Sequence, residues 1–81
     1  MTVQVKLFAI ARQLVGRSEI PVVVPAEATV ADLRREMAQQ FPALAQLMPH
    51  VMIAIDTNYA DDHVPIGSDC EIACIPPVSG G

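Results

Sequence analysis

The chain has 81 residues, a formal net charge of −4 and 52% hydrophobic residues. At that length it is one domain burying about 60% of its unfolded surface, with little room for a deep catalytic cleft. Its acidity is a poor match for nucleic-acid phosphates or an anionic membrane, and no apolar run approaches the roughly 18 residues of a membrane span. The short LFAIA run is followed at once by Arg12 and Gln13 and is no signal-peptide core. The chain therefore reads as soluble and cytoplasmic: a binding module, carrier or subunit, with no nucleic-acid and no membrane partner. So high an apolar content also leaves hydrophobic residues outside the core, where they mark a partner surface.

Val3, Val5 and Leu7 alternate with Gln4, Lys6 and Phe8, the period of a half-buried strand. AIARQLVG loses the alternation; Ile10 and Leu14 stand one helical turn apart and Gly16 closes a short helical turn. Ile20, Val22 and Val24 form the inner face of a second strand, which Pro21 confines to a sheet edge because it has no N–H to donate. Thr29 opens the clearest helix, with Asp32 completing a variant capping box. Val30, Leu33, Met37 and Phe41 line its apolar face. Arg34, Arg35, Glu36, Gln39 and Gln40 mostly face water, and Pro42 ends the helix. ALAQLM adds up to one more turn. Val51, Ile53 and Ile55 alternate with Met52 and Ala54 in a third strand. Residues 59–66 make at most a short strand limited by Pro65, and Gly67-Ser68-Asp69 is a turn. Cys70 to Ile75 is the last strand, with Ile72 and Cys74 on one face and Ala73 and Ile75 on the other.

One main helix covers only one face of a mixed sheet of about five strands, which predicts a two-layer α+β domain. With the proline-bearing strands at the edges, the first and last strands fall at its centre, the β-grasp arrangement. The predicted organisation is a domain over 1–76 and a tail over 77–81. Parity places Lys6, Phe8, Met52, Ala54, Ala73 and Ile75 on the face away from the helix. A solvated sheet would carry polar residues there. The face is read as a docking surface with Arg12 as a charged anchor at its rim; the alternative is a face partly covered by segment 43–50.

Other groups offer less chemistry. Cys70 and Cys74 stand roughly 13 Å apart along a strand, too far for a disulfide, and read as reduced core residues. His63 follows Asp61 and Asp62 in a polar loop without a fourth ligand in view, so no metal is expected. Tyr59 has no nucleophile–base arrangement around it. There is no glycine-rich phosphate loop, so the chain is not expected to bind ATP itself.

The ending IPPVSGG is different. Pro76 and Pro77 stop the ladder and favour an extended tail reaching roughly 15 Å beyond the sheet. Val78 and Ser79 offer a small side chain and a hydroxyl for recognition. Gly80 and Gly81 lack a Cβ and can thread a narrow tunnel, leaving the Gly81 carboxylate as the reactive group. Such a carboxylate becomes an acyl donor once activated as an adenylate, and a sulfur nucleophile that displaces AMP leaves a thiocarboxylate.

The opening VKLFAIARQLVG, the helix TVADLRREM, the segment VMIAIDTNYADDHVPI and the ending DCEIACIPPVSGG span nearly the whole chain. Together they resemble the small, sulfur-carrying subunits of molybdopterin synthase, the MoaD/ThiS type. The resemblance implies a ubiquitin-like β-grasp fold, a thiocarboxylate on Gly81, and recognition of Pro77, Val78, Ser79 and Gly80 inside a partner. It implies three partners: an ATP-dependent ubiquitin-activating-like adenylyltransferase, a sulfur donor of the cysteine desulfurase or rhodanese type, and the large synthase subunit, in a heterotetramer of two small and two large chains. Sulfur would pass to cyclic pyranopterin monophosphate to form the molybdopterin dithiolene. The small subunit would be non-catalytic, without an intrinsic cofactor; in related complexes the catalytic lysines belong to the large subunit, so Lys6, the only lysine, is given no catalytic role. Phe8, Arg12 and Ile75 would face partners, in agreement with the parity that also puts Ala73 at the partner interface. Family members often carry an aromatic residue where this chain has Cys74 or Ile75. Carriage for thiazole synthesis, tRNA thiolation or protein conjugation, and an inert β-grasp interaction domain, are the competing readings.

Overall fold

A computed structural model describes residues 1–77. The first strand, β1 (Thr2–Leu7), buries Val3, Val5 and Leu7 and exposes the residues between them. A seven-residue helix, α1 (Ala9–Val15), follows and is closed by Gly16 at φ 79, a left-handed conformation that glycine adopts without steric cost. β2 (Glu19–Val23) returns antiparallel to β1 and continues into buried Val24. The main helix is α2 (Val30–Gln40). Two short 3-10 turns, Pro42–Leu44 and Met48–His50, lead into β3 (Met52–Ile55), β4 (Asn58–Tyr59) and β5 (Ile72–Ile75).

The sheet order is β2-β1-β5-β3-β4. β5 lies at the centre, parallel to β1 and antiparallel to β3. This is the expected α+β β-grasp architecture, with Pro21 on an edge strand. Three expectations are corrected. The last strand starts at Ile72 instead of Cys70, because the Glu71 N–H turns to the Asp56 side chain at 2.9 Å. The poor strand sought in 59–66 is β4 at Asn58–Tyr59, and Pro65 makes only an isolated bridge with Thr29. Segment 43–50 does not cover the open face; Leu44 and Met48 are buried in the core with Leu33 and Met37 on the helical side.

The helix α2 forms where the sequence places it. Thr29 N–H donates to Asp32 Oδ2 at 2.9 Å, and Asp32 N–H donates to Thr29 Oγ1 at 3.4 Å. This reciprocal capping box satisfies two amides that would otherwise lack acceptors. Val30, Leu33 and Met37 face inward and are fully buried, each stabilising the fold by about 1.5–3 kcal/mol. Phe41 lies just beyond the helix as its C-terminal cap and is half-buried.

Two polar residues of α2 do more than face water. Arg34 Nη1 donates to Met48 O at 2.7 Å and to Val51 O at 2.8 Å, while its Nε donates to Asp62 Oδ1 at 2.8 Å. One guanidinium thus ties the second 3-10 turn, the approach to β3 and the 60–66 loop to the helix. Gln40 accepts the Val23 N–H at 2.9 Å and donates to Val23 O at 2.7 Å. Its amide pairs with the outer edge of β2 as another strand would, blunting an edge open to aggregation.

Thr29→Ala is expected to lower stability by about 1 kcal/mol, read as a shift in denaturant midpoint at neutral pH. The Thr29 amide, helped by Arg35, holds the Asp32 carboxyl below its ordinary 3.8. A depressed carboxyl stabilises above its unfolded pKa and loses that effect as pH falls through the folded value. The stability difference between wild type and Asp32→Asn is therefore expected to be constant above pH about 5 and to shrink in acid; a difference that grows in acid would reverse the assignment.

Candidate functional site

The sheet register builds the open face. Lys6 pairs with Ala73, Ala54 pairs with Ala73 across β3–β5, and Met52 pairs with Ile75. With Val5, Leu7, Ile72, Cys74 and Ile53 turned into the core, the alternate residues face away from α2. They floor a groove of about 320 Å³. Ala54, Ala73 and Ile75 contribute to it from the sheet, Phe8 from the end of β1, and Thr57 and Tyr59 from the β3–β4 hairpin. Phe8 is 47% exposed and Tyr59 68%.

The polar end of this groove is an ion pair. Lys6 Nζ donates to Glu71 Oε1 at 2.6 Å. Glu71 is anchored in turn by the hairpin: its N–H donates to Asp56 Oδ1 at 2.9 Å and its carbonyl accepts from Asp56 N–H at 2.8 Å. Asp56 and Thr57, at φ 49 and 70, form a two-residue turn, the geometry whose twist matches that of the flanking strands. A β-branched threonine at positive φ is strained, and the Asp56 contacts with Glu71 help to hold it.

A second hollow of about 340 Å³ opens beside the first, lined by Lys6, Leu7, Phe8, Arg12, Ser18 and Glu19. Phe8 and Lys6 belong to both. Of the residues expected at a partner surface, Phe8, Ala73 and Ile75 share the groove. Arg12 sits next door in the second hollow, joined to them through Phe8. Met52 is exposed on the same face without lining the groove. Thr57, Tyr59 and Glu71 were not foreseen as lining residues; the two-residue Asp56-Thr57 turn that brings them in is a weak signal beside the usual Asn-Gly or Asp-Gly.

Just beyond β5, Pro76 is buried and Pro77 is exposed. Val78, Ser79, Gly80 and Gly81 lie outside the described residues. Among the described residues, no group of three His, Cys, Asp or Glu side chains is placed to hold a metal ion, and no helix is long and apolar enough to cross a membrane.

Residues 5–81 match the ThiS family. The chain is 41% identical over 83 residues to the molybdopterin synthase sulfur carrier subunit of Caenorhabditis briggsae, covering 100% of this chain and 99% of that one. Among solved structures, small archaeal modifier protein 1 (SAMP1) of Haloferax volcanii superposes with a TM-score of 0.85 at 27% identity, covering 100% of both chains. A putative molybdopterin converting factor, subunit 1, from Pyrococcus furiosus gives 0.82 at 27% identity, covering 96% of this chain and 99% of that one.

Both cysteines are free thiols. Cys74 lies beneath the groove floor, and burial pushes its thiol up to about 11 against the smaller opposing effect of the Arg34 charge. The thiolate, which is the nucleophile, is thus scarce at neutral pH. Cys70 is partly exposed and its Sγ donates to Gly67 O at 3.0 Å. Iodoacetamide at pH 8 is expected to label Cys70 in the folded protein and Cys74 only in denaturant, as read by peptide mass mapping. Rapid native labelling of Cys74 would contradict its burial.

Proposed function

The chain belongs to the ThiS family, and on that premise we propose that it is the sulfur carrier subunit of a molybdopterin synthase. The observation that carries this reading is the exposed apolar groove beside the end of the last strand, close in sequence to Gly80 and Gly81. Phe8, Ala73 and Ile75 give a partner a surface to grip, and Arg12 adds a charge at its border. The body positions the tail and the partner's site does the chemistry.

The reaction sequence follows from what a carboxylate needs. A Gly81 oxygen attacks the α-phosphate of ATP on the activating enzyme, and pyrophosphate leaves. The terminal sulfur of a persulfide on a desulfurase- or rhodanese-type donor then attacks the acyl carbon, and AMP leaves. A thiol cleaves the resulting acyl disulfide, ending in a disulfide with the donor cysteine and releasing the thiocarboxylate. The resulting thiocarboxylate enters the large synthase subunit and delivers its sulfur to cyclic pyranopterin monophosphate, two carriers serving each dithiolene. Gly80 and Gly81 carry no Cβ, so the approach to the acyl carbon is unhindered. Catalytic side chains are assigned to the large subunit.

Protein conjugation is the second reading, favoured by the likeness to a structure named a modifier protein. The two readings part at the product. With activating enzyme, ATP and a sulfur source, intact mass spectrometry is expected to show one oxygen of the chain replaced by sulfur, and the product to generate dithiolene with a large subunit and the cyclic pterin. An unchanged mass with a proven active enzyme overturns the carrier reading. Isopeptide-linked targets without dithiolene would establish the modifier reading. Thiazole or thiolated tRNA in parallel assays, without dithiolene, would move the carrier to another pathway. Deleting Gly81 is expected to leave the melting curve unchanged and abolish transfer.

Phe8→Asp is expected to change folding stability by no more than about 0.5 kcal/mol, as for an exposed site. It is expected to weaken large-subunit binding at least tenfold, or about 1.4 kcal/mol. Comparable loss in both measurements would return Phe8 to a structural role.

A further inference from the structure

Lys6 is the only lysine in the chain. It stands in the open groove with its side chain 47% exposed, held by Glu71, itself 57% exposed. Glu19 lies opposite Lys6 in the β1–β2 register and adds a second negative charge. On its other side Lys6 pairs with Ala73, two residues before the end of β5. An accessible amine therefore sits on the docking face of a chain whose own end is read as an activated acyl group, restrained by carboxylates and not by burial.

Resting on the carrier reading above, we propose that Lys6 is an acyl-acceptor site for the activated C terminus of a second copy of this chain, and that Glu71 is the positioning residue that keeps it unreactive. In the reaction, the Lys6 ammonium gives a proton to solvent and the free Nζ attacks the Gly81 carbonyl carbon of an acyl adenylate. The C–N bond forms, the C–O bond to the phosphate breaks, AMP leaves with the electron pair, and the nitrogen gives its second proton to solvent. No oxidant or reductant enters. Only the free amine is a nucleophile, and Glu71 opposes its formation by accepting a hydrogen bond from the ammonium and by its charge. Both effects raise the Lys6 pKa, the hydrogen bond foremost. The product would place a second body on the face that docks partners, so the guard preserves the carrier as well as its cargo.

The arrangement can be tested without moving the backbone, because Glu71 is held through its main chain by Asp56. Glu71→Gln removes the charge and leaves those two bonds in place. The full chain is trace-acetylated with the N-hydroxysuccinimide ester of acetic acid and mapped by peptide mass spectrometry. The Met1 amine, which donates to Val24 O at 2.7 Å far from this face, serves as the internal reference. Glu71→Gln is expected to raise the Lys6 rate about two- to fivefold, the range that an exposed ion pair commands, and Glu71→Asp to lie between. Equal Lys6 rates in all three proteins overturn the guard.

In a second arm, activating enzyme and ATP are supplied without a sulfur source. Glu71→Gln is expected to yield a covalent Gly81–Lys6 dimer more readily than wild type, and the double variant with Lys6→Arg to yield none. Linkage at the Met1 amine instead overturns Lys6 as the acceptor. Pyrophosphate release is followed in the same reactions. Its absence fails the carrier reading, while the acetylation arm still decides the role of Glu71.

Discussion

The parallel ladder between β1 and β5 joins one end of the chain to the other: Val5 to Ile72, Lys6 to Ala73, Leu7 to Cys74. Closing so long a loop costs chain entropy, though the cost grows slowly with length. The offset lies directly beneath the ladder, where Val5, Leu7, Ile72 and Cys74 are 2% exposed or less. Register is fixed by that burial, since a slip of one residue would turn the Ile72–Cys74 pair outward and Ala73–Ile75 inward. The groove, the Lys6–Glu71 pair and the end of β5 all inherit their positions from it.

What the sequence made legible was local or periodic. Val3, Val5 and Leu7 announced β1, Pro21 an edge, and Thr29 with Asp32 a capped helix, because each acts on neighbours within a few residues. Parity on β1 and β5 was enough to put Phe8, Ala73 and Ile75 on one face. Long-range partners were not legible. Arg34 and Gln40 look like ordinary solvent-facing helix residues until Met48, Val51 and Val23 arrive beside them. The start of β5 depends on Asp56, fifteen residues earlier than Glu71 in the chain. In α1 the four-residue spacing of Ile10 and Leu14 suggests an apolar face, yet both are more than 40% exposed and Ala11 is the residue buried. Spacing marks a helix without saying which side is inward, and a small residue suits a short helix lying close to the sheet and the first 3-10 turn.

Charge is distributed as unevenly as apolar surface. From Met37 to Ile55 the chain has no Asp, Glu, Lys or Arg, and its carbonyls at Met48 and Val51 are served by Arg34 from outside that stretch. Among the described residues Lys6, Arg34 and Arg35 form ion pairs, while Arg12 and Arg17 have none. Of the two cations without an ion pair among the described residues, Arg12 is the one that lines the hollow beside the groove, on a chain that is acidic overall. Its field favours one orientation of an approaching surface and acts on the rate of encounter more than on final affinity.

The burial of Pro76 carries a mechanical meaning. Pro76 follows the end of a central strand gripped on both sides, by β1 in parallel and by β3 in antiparallel pairing. A pull along β5 loads both ladders in shear, so their hydrogen bonds must yield together, whereas an edge strand peeled from its end would yield one bond at a time. A body built this way transmits tension applied at its terminus into translation of the whole domain. An enzyme that hauls on the tail would draw the domain against its own surface before it could unravel it.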